Sequence, residues 1–92
     1  MCISTLERAT TILRLDGFRV VIYPNNHSPA HVHVIGTTAE AVFELHCTGG
    51  PVTLRESYNF KKRELRRLMK DLDMQLSLLC DEWERIHDTD GC

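Results

Sequence analysis

The chain has 92 residues, with 11 Lys and Arg, 13 Asp and Glu, and 42% hydrophobic residues. That length suits one domain around a single core, and the composition is that of a globular protein rather than a disordered chain. A formal net charge of −2 excludes a whole-chain basic field for gripping nucleic acid but leaves room for a local basic patch, and no apolar run approaches the roughly 18 residues of a membrane span.

From the N-terminus, Ser4 and Glu7 have the spacing of a capping box, which predicts one or two helical turns over Thr5 to Ala9. This segment reads as an N-terminal extension, residues 1–10, with no apolar stretch; the expectation is of no secretory signal and a cytoplasmic location. Alternating residues Thr11 to Leu15, then Asp16-Gly17, then Phe18 to Tyr23 read as a β-hairpin, because both turn residues must reach positive φ. Pro24 to Ala30, with two prolines and two asparagines, reads as an ordered loop. His31 to Ile35 and Glu40 to Leu45 form a second hairpin around Gly36 to Thr38, and Val52 to Leu54 a short edge strand.

The remainder predicts one long helix. Leu65, Leu68, Met69, Leu72, Leu76, Leu79, Trp83 and Ile86 step by three and four, and no proline or glycine occurs between Phe60 and Asp90. Asn59 is the expected N-cap, and residues 88–92 form a frayed tail. The fold class is therefore α+β: a small antiparallel sheet of two hairpins and four or five strands, covered on one face by one long C-terminal helix. Val32, Val34, Ala41, Phe43 and Leu45 suit the covered face. That burial fixes a register with Val34 opposite Ala41, His31 opposite Glu44 and His33 opposite Val42, the histidines lying on the face away from the helix. Cys2, Cys47, Cys80 and Cys92 contain no C-x-x-C pair and are expected as reduced thiols, with Cys80 beside the core.

Chemistry concentrates at His27, His31 and His33, an H-x3-H-x-H pattern. The last two share one face of a strand, and the first sits on a loop able to fold back. Three imidazoles with an open fourth position match a catalytic ligand set for zinc or another divalent transition metal. Glu44 across the hairpin is placed to accept a ring N–H. His31 and His33 also suit metal-free acid–base catalysis, as in a phosphodiesterase or RNase. The bland alternative is two histidines on a half-exposed sheet face. His46 and Cys47 point to opposite sides if the strand continues, and His87, near a helix C-terminus, has a structural role.

The helix is unevenly charged: Lys61 to Asp73 carries six basic and three acidic residues, Asp81 to Asp90 five acidic and one basic. Arg63, Arg66, Arg67 and Lys70 fall on the arc away from the apolar stripe, as a patch for nucleic acid or an acidic partner. Phe60, Met74 and Leu78 make a smaller apolar patch suited to a protein partner or a homodimer.

The stretch F-R-V-V-I-Y-P-N-N-H-S-P-A-H-V-H-V, Phe18 to Val34, resembles the small bacterial family known as domain of unknown function 4160. Its members show N-D-H-x-P-P-H-x-H-V after an aromatic-rich strand, then a strand like E-A-V-F-E-L, then a helix ending near a tryptophan. The matching positions are Asn25, His27, Pro29, His31, His33, Glu40 to Leu45 and Trp83 to His87, a family-like core over about residues 11–87 of a single domain, 1–92. Asn26 stands where the family has Asp, and Ala30 where a second proline is common. The resemblance implies a bacterial setting and a suspected toxin–antitoxin-like or regulatory component working with a small protein partner.

Overall fold

The computed structural model describes residues 10–23 and 29–89. Asp16 and Gly17 take φ of 50° and 83°, the pair of positive values that a tight hairpin turn requires. They fold β1 (Thr10–Leu15) against β2 (Phe18–Ile22). With β3 (His31–Ile35), β4 (Glu40–Glu44) and β5 (Thr53–Tyr58), these strands make one antiparallel sheet in the order β1-β2-β3-β4-β5. At the β3–β4 turn, the Gly36 N–H donates to Ala39 O at 2.8 Å. A Cβ at Gly36 would meet Phe18 Cε1 at 2.7 Å, so the Phe18 ring packs directly on bare backbone.

The β3–β4 register is the one that burial demands. Val34 lies opposite Ala41, Val32 opposite Phe43, His33 opposite Val42 and His31 opposite Glu44. Val32, Val34, Ala41, Phe43 and Leu45 are fully buried. They share one cluster with Val20, Ile22 and Val52, and with Leu68, Leu72, Leu79, Trp83 and Ile86 from the helical segment.

Several expectations need correction. The edge strand is β5, longer than Val52–Leu54, and nearly all of it is exposed. A strand that buries so little carries no apolar alternation to detect. Its bulge at Arg55, where Val42 faces Glu56 and Phe43 faces Leu54, and its charged side chains blunt an open sheet edge.

The single long helix is two: α1 (Lys62–Met74) and α2 (Leu76–Thr89). They are separated at Gln75, whose φ and ψ are −104° and 17°. The Gln75 N–H donates to Leu72 O at 3.0 Å, the i to i−3 pattern of a tightened last turn. The buried positions 68, 72, 79, 83 and 86 nevertheless stay within an arc of about 60° at 100° per residue, so the break does not rotate the faces.

Asn59 is not the N-cap. It has φ of 61°, and its amide donates to Thr38 O at 2.7 Å. Lys61 caps α1, its backbone N–H donating to Glu64 Oε1 at 2.9 Å. This is the carboxylate half of a capping box, which works whatever side chain the cap residue carries.

Cys47 and Cys80 are not reduced thiols; they form a disulfide with Cα atoms 5.9 Å apart. Sequence separation hid this pair, and the fold brings the β4–β5 loop against α2. The Ser4–Glu7 capping box, Cys2 and Cys92 lie outside the described residues.

Candidate functional site

β3 ends in a row of rings. His31 and His33, two residues apart on one strand, point the same way, with ring centroids 5.4 Å apart and planes at 59°. Tyr23, just past β2, meets His33 edge-on at 4.7 Å. On the other side His31 lies 5.3 Å from Trp83 of α2, and Trp83 stacks on His87 at 3.9 Å. His31 is therefore buried, not on a face remote from the helix. It is the first residue of β3, where the sheet stops, and the long Trp83 indole joins both the core cluster and the ring row.

Hydrogen bonds fix the imidazoles. His31 Nδ1 is 2.8 Å from Pro29 O. A carbonyl only accepts, so Nδ1 carries the proton and the neutral ring has its lone pair on Nε2. His33 Nδ1 is 3.2 Å from Glu40 Oε2 and donates to that carboxylate in the same way. The His87 Nδ1–H donates to Trp83 O at 2.8 Å. Burial lowers the His33 pKa below 6.5. The hydrogen bond to Glu40 opposes this, the neighbouring His31 adds to it, and the charges of Glu40 and Glu56 oppose it.

Glu44 lies opposite His31 as expected, but its oxygens sit 3.7 Å from His46 Nε2 and 3.8 Å from Arg55 Nε. The carboxylate that reaches a β3 histidine is Glu40, on the same face of β4. His27, with Asn25 and Asn26 of the motif, lies outside the described residues. Among the described residues, no group of three or more His, Cys, Asp or Glu side chains is placed to hold a metal ion. His46 leaves the strand with φ of 53° and bonds Thr53 Oγ1 at 2.8 Å, apart from the ring row.

Sequence reasoning missed Tyr23, Glu40, Trp83 and His87 as neighbours of the pair. Two signals were present: the same-face spacing of Val21 and Tyr23, and the four-residue spacing of Trp83 and His87.

The helical residues make a second surface. Arg63, Arg66, Arg67 and Lys70 are exposed, and Arg67 pairs with Asp16 at 3.2 Å. That contact ties the basic arc to the β1–β2 turn. His33 pairs with Val21, five residues beyond Asp16, or roughly 17 Å along an extended strand. The Arg67 contact thus lies at the turn end of β2, well along the strand from the residue that pairs with His33. Met74 and Leu78 are exposed, by 75% and 42%. Phe60 leaves this patch: it packs against the core, its ring 5.0 Å from Phe18.

The model of the family described as domain of unknown function 4160 matches residues 17–84. The chain belongs to that family. Its matched span runs from the β1–β2 turn through Trp83 and includes both β3 histidines, Glu40 and the basic arc. No curated protein and no solved structure matches the chain. Among the described residues, no helix is long and apolar enough to cross a membrane.

Proposed function

We propose that this member of the 4160 family is a protein-interaction module, one half of a regulatory or toxin–antitoxin-like pair, which docks its partner through the outer stripe of α1 and α2. The observation that carries this reading is the exposure of Met74 and Leu78, one helical turn apart, in line with exposed Arg63, Arg67 and Lys70. Single exposed apolar residues are ordinary. A pair continuous with arginines makes the mixture enriched at protein interfaces. The fitting partner segment is apolar and flanked by carboxylates. A nucleic acid fits less well, because the same face turns acidic at Asp81 and Glu84, where phosphates are repelled.

Co-purification with the product of the adjacent gene, together with light scattering of the chain alone, tests this. Met74→Asp, at an exposed position, is expected to weaken the complex by at least about tenfold, or about 1.4 kcal/mol, with the thermal midpoint nearly unchanged. A chain that stays monomeric and co-purifies with nothing, or a complex indifferent to Met74→Asp, overturns the reading. Binding to nucleic acid that falls steeply with salt would overturn it in favour of phosphate contacts.

A further inference from the structure

We propose that His31 and His33 together bind one divalent transition-metal ion through their Nε2 atoms. The reading does not depend on the docking surface, which lies on the outer side of the helices.

The ring separation suits joint ligation. Same-side neighbours on a strand are separated by roughly 6.5–7 Å at the backbone, so two imidazoles share an ion only by leaning together. These rings do lean, with centroids 5.4 Å apart. Two imidazoles on one tetrahedral ion, with ion–nitrogen bonds of about 2.0–2.1 Å, have ring centres roughly 5.3 Å apart. The separation needed for joint ligation is already present.

The hydrogen bonds at Nδ1 orient each ring for ligation. Metal-ligating histidines donate their other ring N–H to a backbone carbonyl or a carboxylate, which fixes the tautomer and raises ligand basicity. Here one ring has each kind of partner: Pro29 O at 2.8 Å for His31 and Glu40 Oε2 at 3.2 Å for His33. Both place the lone pair of the neutral ring on Nε2.

The rings are also held in place and lie among carboxylates. His31 is held against Trp83 and His33 against Tyr23, so ligation orders little that is not ordered already. Glu40 and Glu56, whose charges act on His33, make the surroundings favourable to a cation. Two imidazoles leave the remaining positions to water or an incoming ligand, so the site takes copper(II) most tightly, nickel(II) and zinc(II) less so, and magnesium(II) not at all.

The test is titration of untagged protein with copper(II), zinc(II) and magnesium(II), followed by competition against a chromophoric chelator. One copper or zinc ion per chain is expected, and no magnesium. His31→Ala and His33→Ala should each weaken binding at least tenfold. Glu40→Ala, which removes only the outer partner, should weaken it by about 10- to 100-fold. His46→Ala should leave it unchanged. Nitrogen-15 spectra of the wild-type imidazoles provide a readout without any substitution. One equivalent of zinc should move the Nε2 resonances of His31 and His33 and leave those of His46 in place. Zinc that moves His46 instead, or affinity that survives loss of both β3 histidines, overturns the proposal.

Discussion

At His33, burial and hydrogen bonding pull the imidazole in opposite directions, and burial prevails. Removal from water disfavours the cation more than the Glu40 carboxylate favours it, so the pKa falls below 6.5. The groups facing the ring are His31, Tyr23, Glu40 and Glu56. The unfolded chain therefore takes up a proton at His33 before the folded one does. Stability from this residue is intact above about pH 6.5 and declines as pH falls from there through the lower folded pKa. Urea unfolding between pH 8 and pH 5, with a chelator present, should show the wild type losing stability faster than His33→Gln; parallel curves would refute the assignment. At this scale much was legible in the sequence. The two-residue spacing alone puts His31 and His33 together, and burial of Val34 opposite Ala41 sets their cross-strand partners. The choice of Glu40 over Glu44 was not legible, because both carboxylates share one face of β4 and only side-chain reach separates them. Trp83 and His87 could not be assigned either, since their approach depends on where α2 crosses the end of the sheet.

At the scale of elements, the helical span from 62 to 89 follows from apolar spacing, but its division at Gln75 has no proline or glycine to announce it. Tertiary ties flank it on both sides. On one side of the break Asp73 Oδ1 accepts the Val52 N–H at 3.2 Å; on the other Cys80 is bonded to Cys47. Both ties run to the same β4–β5 loop, where Gly50 comes so close that a Cβ there would meet Asp73 Oδ1 at 3.0 Å and Leu76 Cδ2 at 3.2 Å. The two helical segments are thus fastened to one loop on either side of their junction. β5 leaves little trace in the sequence for the opposite reason, having too little burial to set a pattern. The disulfide closes a loop with a sequence separation of 33, and removing that closure returns about 3–4 kcal/mol of chain entropy to the unfolded state. Dithiothreitol should lower the unfolding free energy by about that amount and leave a Cys47→Ala, Cys80→Ala variant unaffected. An unchanged urea midpoint on reduction would count against the bond as a stabilising tie.

At the scale of the whole molecule, the order of charge along the helices is the feature that local stability does not explain. Cations gather at the start of α1 and carboxylates towards the end of α2, against the helix macrodipole, at about 0.3–1 kcal/mol for each exposed charge. The exposed stripe runs from Arg63, Arg67 and Lys70 through Met74 and Leu78 to Asp81 and Glu84. Reversed end for end, that stripe complements itself. A two-fold axis placed near Gln75 and Leu76 would set Lys70 against Asp81 of a second copy, Arg67 against its Glu84, and Met74 beside its Leu78, as an isologous contact requires. With about 1.5 Å of rise per residue, residues 63–84 span roughly 30 Å, long enough for a small dimer interface. A second copy therefore meets the chemistry asked of a docking partner. Lys70→Asp and Asp81→Lys should each weaken self-association by at least about tenfold, whereas the double variant, which restores both pairs with their signs exchanged, should recover most of it. Mixing the two single variants should likewise rebuild both attractive pairs in the mixed dimer, one with the native signs and one with the signs exchanged. Sedimentation across a salt series reads all four cases. If the chain sediments as a monomer at every concentration and salt, a second copy is ruled out as the occupant. Co-purification then decides between a different protein that carries the carboxylate-flanked apolar segment and no partner at all.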